Sequence, residues 1–235
     1  MGRVPDSSRP LPERATAFVP RAEGRHSETR KTVLVVARPS LANLVSLCLV
    51  HCGCAVAVVH TVAAARAQAS AGHAASIVDV DLEEGTGLGL LEGARACARI
   101  ALVHPRGIWS SFEAFARGAD QVVAVPFTPD ELVIRLRELL RRFGQALPLT
   151  RSQGLEGLEI SLDERVVVGS RTIALSPALN SLLYFVCANR ESALTLEQLR
   201  ESVWGFGALT TRQTIERTVA QLGRLIAARP AIPGG

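Results

Sequence analysis

The 235-residue chain has little aromatic content (4%), one tyrosine, one methionine and a single lysine, Lys31, among its 26 Lys and Arg side chains. No stretch approaches the ~18 consecutive apolar residues of a membrane span, so we expect no transmembrane segment. The amino terminus lacks an apolar signal core, and the five cysteines form no recognisable disulfide framework. These absences argue against secretion and predict a cytoplasmic protein.

The overall charge says little about partners. The net charge is +4, but the basic excess lies mainly in residues 1–30 and locally near the carboxyl terminus. Residues 1–30 are rich in Pro, Ser and Arg and have no period, which predicts a disordered tail. A nucleic-acid-binding arm is the alternative interpretation of this segment.

Residues 31–143 alternate between strand and helix patterns five times. The predicted strands are 32–37, 55–60, 76–80, 100–103 and 121–125. The predicted helices are 40–51 with Ser40 as N-cap, 61–71, 88–98, 109–117 and 129–143. This alternation predicts an α/β fold with a doubly wound, five-stranded parallel sheet.

The pattern changes after a polar linker over residues 144–154. Short strands at 155–162, 165–168 and 172–175 are followed by helices at 176–190, 195–204 and 211–228. A small sheet followed by three helices predicts a second, α+β domain over 155–228, and residues 229–235 form a tail.

Asp79 is a charged residue within an apolar stretch of the sequence. Asp79 and Asp81 interrupt an apolar run that reads as a buried parallel strand (Ile77, Val78, Val80 and Leu82), and a Gly-rich turn follows at 85–89. Open α/β sheets place ligands at the carboxyl ends of their strands. A buried charge is costly unless it is paired, so Asp79 is either a working acid or the relic of one.

The first half resembles a response-regulator receiver domain. The matching pieces are VLVV at 33–36, DVDLEEGTGLGLL at 79–91 and GADQVVAVPFTPDEL at 118–132. The second half resembles the winged-helix DNA-binding domain of the OmpR/PhoB family through IALSPALNSLLYFV, LTLEQLRESVWG and TIERTVAQLGRLI. The resemblance implies a CheY-like receiver, a winged helix-turn-helix, a two-component transcription regulator and a cis Val125–Pro126 peptide.

The receiver-like half departs from the family at the positions that support phosphorylation. Asp79 occupies the phosphoacceptor position, but Ala37-Arg38 stands where the family has Mg²⁺-binding acids. Val125 replaces the family lysine, and the Ser/Thr position falls on Val103 or His104. The aromatic switch position falls on Val122.

These losses predict a pseudo-receiver, because phosphoryl transfer to a carboxylate needs cations around the transferred oxygens. We expect Arg38 to pair with Asp79 or Asp81, with no cofactor; the alternative is that Arg38 points to solvent. A further alternative keeps conventional, Mg²⁺-dependent phosphorylation of Asp79, with Asp81, Glu83 or Glu84 as substitute metal ligands.

The last helix carries the predicted DNA contacts. Ile215, Val219, Leu222 and Ile226 fall on one face and should pack inward. The resemblance points to Arg217, Thr218 and Gln221 for base edges and to Arg212 and Arg224 for phosphates. Gln213 completes the predicted DNA-binding set. Residues 229–235 are too short for the family's wing, so we expect a truncated wing.

The resemblance also implies partners. They are double-stranded DNA, a possible sensor histidine kinase and a second copy of the chain. The homodimer would use the face of the fourth helix, fifth strand and fifth helix, with charged residues Glu113, Arg117, Asp120, Arg135 and Arg137.

Other functions have less support. No nucleophile–base arrangement or phosphate-cradling loop appears, so we expect no enzymatic activity. Cys48, His51, Cys52 and Cys54 cluster without a common zinc signature, which leaves metal binding or redox sensing as a minor alternative. A non-DNA-binding adaptor or truncated regulator is the alternative to a DNA-binding regulator.

Overall fold

Five parallel strands form the sheet that the alternating pattern predicts. The computed structural model describes residues 31–68, 70–82, 85–92, 97–105, 108–155, 157–205 and 209–227. The strands before the linker are β1 (Thr32–Val36), β2 (Ala55–Val59), β3 (Ala75–Asp79), β4 (Asp81–Leu82), β5 (Gly85–Thr86), β6 (Ala98–Val103) and β7 (Gln121–Ala124). The main sheet has the order β2-β1-β3-β6-β7, and β4 and β5 form a small antiparallel pair. This is the predicted doubly wound, CheY-like order.

Helices cover both faces of this sheet. They are α1 (Pro39–Val50), α2 (Val62–Ala67), α3 (Ile108–Ala116) and α4 (Pro129–Arg142), with a 3₁₀ turn at Gly87–Leu90. Thr61 caps α2 by accepting a hydrogen bond from the Ala64 amide at 3.1 Å. The Val125–Pro126 peptide is cis, as the resemblance implies.

Two helix predictions are wrong in detail. Ser40 is not the N-cap of α1, because Arg38 holds that place and Pro39 begins the helix with its fixed φ. The predicted helix 88–98 is a 3₁₀ turn over Gly87–Leu90, and the strand β6 already begins at Ala98. Residues 93–96 of that prediction lie outside the described residues.

The second half has an antiparallel sheet and three helices. Its elements are β8 (Ser152–Leu155), β9 (Leu158–Ser161), β10 (Arg165–Val168), β11 (Arg171–Ala174), α5 (Pro177–Ala188), α6 (Leu196–Val203) and α7 (Arg212–Ala227). The predicted linker 144–154 is too long, because β8 begins at Ser152 and pairs with β9. A turn with Gly157 at φ 86° divides the predicted strand 155–162.

Some predictions fall outside the described residues. These are the amino-terminal tail 1–30, the carboxyl-terminal tail 229–235 with the expected wing truncation, and Glu83 and Glu84. Within the described ranges, no helix has the length and hydrophobicity needed to cross a membrane.

The core is continuous between the two halves. One buried cluster runs from the β-sheet through Leu44 and Cys48 of α1 to Leu182 and Phe185 of α5. A second cluster lies on the opposite face of the parallel sheet, where Val36 and Val78 are buried. Helix α1 therefore packs against the sheet on one side and against α5 on the other.

Several polar side chains at this junction are also hydrogen-bonded. The Tyr184 hydroxyl lies 2.8 Å from His51 Nε2, and His51 Nδ1 lies 2.7 Å from the Thr150 carbonyl oxygen. Because that carbonyl can only accept, Nδ1 carries the proton and Nε2 accepts from Tyr184. Asn189 adds two bonds, accepting from Asn43 Nδ2 and donating to the Ser40 carbonyl, both at 3.1 Å.

Burial lowers the pKa of His51, and the hydrogen bond to the Thr150 carbonyl opposes this only in part. A lowered folded-state pKa means that the unfolded chain binds a proton more readily. The junction's contribution to stability is therefore present above the ordinary histidine pKa and declines as the pH falls below it.

Tyr184→Phe tests the junction. The change leaves His51 Nε2 buried without a donor, and we expect a loss of about 1–3 kcal/mol in the free energy of unfolding. Urea denaturation at neutral pH measures it. The control is Thr214→Val on α7, whose hydroxyl lies at the exposed amino end of that helix near Thr211. Equal stabilities of Tyr184→Phe and wild type would show that the His51–Tyr184 contact contributes nothing.

Candidate functional site

The candidate site lies at the carboxyl edge of the parallel sheet. The strand β3 ends at Asp79, between β1 and β6, so this carboxylate is at the centre of the edge. Arg38 follows β1 after Ala37, and His104 comes directly after β6. Parallel strands bring these three side chains together although they are far apart in the sequence.

Both carboxylate oxygens of Asp79 have partners. Arg38 Nε lies 3.4 Å from Oδ2, and His104 Nε2 lies 3.3 Å from Oδ1. The Asp81 amide also donates to Oδ1, at 3.0 Å. The Asp79 side chain has no exposed surface, whereas that of Arg38 is 32% exposed. The structure thus brings the predicted pair, Arg38 and Asp79, together, and it adds His104.

His104 joins the two charged groups. Its Nε2 lies 3.0 Å from Arg38 Nη2 as well as 3.3 Å from Asp79 Oδ1. This Nε2 either carries a proton and donates to the Asp79 carboxylate, or has a lone pair and accepts from the Arg38 guanidinium. The site therefore has two proton arrangements with the same heavy-atom geometry.

The environment keeps Asp79 ionised. Burial by itself would raise the pKa of this carboxyl group. The hydrogen bonds from His104 and the Asp81 amide and the positive charge of Arg38 all lower it, and the net pKa of Asp79 lies below its ordinary value. The carboxylate is charged at neutral pH and is neutralised by groups of the protein itself.

The donor set does not fit Mg²⁺, the ion that the family resemblance implies. Mg²⁺ requires oxygen ligands in near-octahedral geometry. The described residues at this edge supply carboxylates from Asp79 and Asp81, but a guanidinium lies against the first of them. Among the described residues, no group of three or more His, Cys, Asp or Glu side chains is arranged to hold a metal ion.

The Gly-rich turn has a packing role at this edge. A methyl group added at Gly87 would lie 2.2 Å from the Asp79 carbonyl oxygen. The Gly87 amide donates to the Val80 carbonyl at 3.0 Å, which fixes the turn against the end of β3. Only glycine fits this close approach of two backbone segments.

The predicted DNA-contacting residues lie on α7. Arg212, Gln213, Arg217, Gln221 and Arg224 are exposed, and Thr218 is half-buried with its hydroxyl donating to the Thr214 carbonyl. Ile215 and Leu222 are buried, as predicted. Val219 is 39% exposed, so the prediction that it packs inward is wrong. A 100° turn per residue places it at the margin of the apolar stripe.

Most side chains of the predicted dimer face have partners within the chain. Arg117 pairs with Glu92 at 2.7 Å and Arg135 with Glu131 at 2.9 Å. Asp120 accepts from the Arg99 amide at 2.9 Å, and Arg137 lies 3.4 Å from the Leu147 carbonyl. Glu113 is exposed on α3. Exposed Phe112, Phe115 and Ile134 lie on the same two helices, α3 and α4.

His104 is the site residue that the sequence did not single out. It appeared only as one of two possible positions for the family's Ser/Thr. A polar residue directly after the buried run at 98–103 is the signal that identifies it, because that position meets the ends of the neighbouring strands.

Comparison with known proteins gives relatives of one kind. No model of a known protein family matches the chain. The phosphate regulon transcriptional regulatory protein PhoB of Escherichia coli K12 is 30% identical over 121 residues, which cover 50% of this chain and 49% of PhoB. The response regulator MprA of Mycolicibacterium vanbaalenii is 36% identical over 110 residues, covering 46% of this chain and 48% of MprA.

The chain spans about half the length of the curated relatives it matches. A solved structure, the response regulator DrrB of Thermotoga maritima, is 20% identical, covers 88% of this chain and 93% of its own, and has a TM-score of 0.44. The sequence relatives are OmpR/PhoB-family response regulators, which confirms the predicted resemblance.

Arg38→Met tests the pairing of Asp79. The change removes a positive charge from a buried carboxylate, and we expect a loss of about 3 kcal/mol in the free energy of unfolding. Adding Asp79→Asn removes the orphaned charge and should restore most of that loss. Urea denaturation gives both values. Arg141→Met, which breaks an exposed ion pair with Glu138, is the control and should cost at most about 0.5 kcal/mol.

The pH dependence gives a second measure of the same pairing. Because the folded pKa of Asp79 is lowered, its stabilising effect is complete above the ordinary aspartate pKa and is lost as the pH falls through the folded value. In Arg38→Met this loss should begin at higher pH. The same acid unfolding curve for Arg38→Met and Arg141→Met would contradict the pairing.

Proposed function

We propose, since the chain is homologous over about half its length to OmpR/PhoB-family response regulators, that it is a DNA-binding transcription regulator of the two-component type. Its receiver-like half works without conventional phosphorylation of Asp79. The main support for a receiver that works without phosphorylation is that Arg38, His104 and the Asp81 amide occupy both oxygens of the Asp79 carboxylate.

The chemistry of phosphoryl transfer supports an atypical receiver. A carboxylate that accepts a phosphoryl group must approach phosphorus, while cations neutralise the equatorial oxygens. Arg38 and His104 are directed to Asp79 itself and hold it as a neutralised, buried ion. Val125 stands where the resemblance implies a lysine, and it is buried beside β7. A regulator of this kind does not depend on an acyl phosphate at Asp79.

The receiver proposal predicts no acyl phosphate at Asp79. The full chain is incubated with Mg²⁺ and a small phosphoryl donor such as acetyl phosphate, and intact mass is measured. We expect an unmodified mass for wild type and for Asp79→Asn. A conventional receiver, phosphorylated in parallel, is the positive control. A stoichiometric, hydroxylamine-labile phosphate that is absent from Asp79→Asn would instead support conventional phosphorylation.

The exposed face of α7 supports DNA binding. Arg217, Gln221 and Arg224 are exposed, whereas Ile215 and Leu222 of the same helix are buried. Arginine donates two hydrogen bonds to guanine, and glutamine pairs with adenine in the major groove. Arg212 forms an exposed ion pair with Glu216 at 2.7 Å, an interaction that a phosphate can replace at small cost.

Duplex binding tests this face. We expect wild type and Asp79→Asn to bind duplex DNA equally, with an affinity that falls steeply as salt rises, because phosphate contacts release counterions. Arg217→Ala should lose about tenfold or more of the affinity, in line with about 1–3 kcal/mol for a bidentate base contact. Arg142→Ala, an exposed arginine on α4, controls for net charge and should bind as wild type does. No binding by wild type at low salt would favour a non-DNA-binding adaptor.

A homodimer completes the proposal. Two copies that meet through the face of α3, β7 and α4 would present two α7 helices to neighbouring half-sites. Since most charged side chains of this face pair within the chain, exposed Phe112, Phe115 and Ile134 supply its apolar contact area. A sensor histidine kinase is a partner only if Asp79 accepts a phosphoryl group.

A further inference from the structure

Two cysteines flank one glycine where α1 turns into β2. Gly53 follows the end of α1 with φ 62°, a left-handed conformation that closes the turn. The Cys54 thiol donates to the Cys52 carbonyl oxygen, with its Sγ 3.8 Å away. The turn therefore folds the Cys54 thiol back onto Cys52.

The two thiols differ in exposure and in acidity. Cys52 is fully buried, whereas Cys54 is half-buried and reaches the surface. The neighbouring Cys52 thiol lowers the pKa of Cys54 against the opposing effect of burial. The neighbouring Cys54 thiol and burial raise the pKa of Cys52. The more exposed thiol, Cys54, is thus the nucleophile of the pair.

We propose that Cys52 and Cys54 form a redox-active dithiol, which a hydroperoxide oxidises reversibly to a disulfide within the turn. The Cys54 thiolate attacks one peroxide oxygen, so that an S–O bond forms, the O–O bond breaks and the leaving hydroxide takes up a proton to become water. Cys52 then loses its proton and attacks the sulfenic sulfur. The S–S bond forms, the S–O bond breaks and a second water leaves.

The dithiol lies beside the segment that connects the two halves of the chain. A methyl group added at Gly53 would lie 3.2 Å from Pro148 Cγ, so the linker packs on the turn. His51 lies directly before Cys52. Its carbonyl accepts a hydrogen bond from the Thr150 amide at 2.8 Å, and its ring is hydrogen-bonded to the Tyr184 hydroxyl. Closing a disulfide here changes the turn that supports both contacts. This inference is independent of the proposed function.

Intact mass and peptide mapping of the full chain test the proposal. The reduced protein is treated with hydrogen peroxide, quenched and mapped, with and without later addition of a thiol reductant. We expect wild type to lose two of its five thiols, with the bond mapped to Cys52–Cys54 and reversed by the reductant. Cys97→Ser is the matched control, because Cys97 is also half-buried, and it should behave as wild type does.

Two variants separate the roles of the thiols. Cys54→Ser should not form the disulfide, and Cys52→Ser should accumulate a sulfenic acid at Cys54 that dimedone traps. Circular dichroism checks that each serine variant folds. The proposal is overturned if folded wild type keeps all its thiols under these conditions, if the bond maps to Cys48–Cys52, or if Cys54→Ser and Cys97→Ser oxidise alike.

Discussion

The neutralisation of one buried carboxylate is the constraint on which the first half of the molecule depends. Asp79 ends the central strand and has no exposed surface, and an unpaired charge in that place would cost many kcal/mol. Arg38 and His104 meet it from the ends of the two neighbouring strands. The same two side chains stabilise the sheet edge and occupy the carboxylate oxygens that, in the proposed function, do not accept a phosphoryl group.

The second constraint is the shared core. In many two-domain chains the interface is polar and small, and relative motion is the default expectation. Here α1 and α5 pack within one buried cluster, and His51, Tyr184, Asn43 and Asn189 are hydrogen-bonded across it. Each of these polar bonds is directional, which favours a single arrangement of the two halves. The exposed face of α7 is held in a defined position relative to the Asp79 edge.

The sequence was sufficient for the parallel sheet, for most of its helices and for the meeting of Arg38 with Asp79. Alternating apolar runs specify strands and helices, and parallel strands bring their carboxyl ends together. One prediction that failed is the carboxyl end of the helix expected at 88–98. It depends on tertiary context, because Ala98 and Arg99 pair with β3 as the start of β6.

The junction between the halves could not be predicted. Helical periodicity tells which side of a helix is buried, but not which element buries it. His51 and Tyr184 are separated by 133 positions, and nothing local to either residue indicates the other. His104 was missed for a similar reason, since its importance comes from two partners on other strands.

Arg38 is the N-cap of helix α1, and His51 is its C-cap. Its 12 residues form a rod roughly 18 Å long at about 1.5 Å per residue. Arg38 at one end contacts Asp79 of the parallel sheet. His51 at the other end contacts Tyr184 of the second half and directly precedes Cys52. A helix bends little over this length, so a displacement of Arg38 at one end is transmitted through α1 to His51 at the other end.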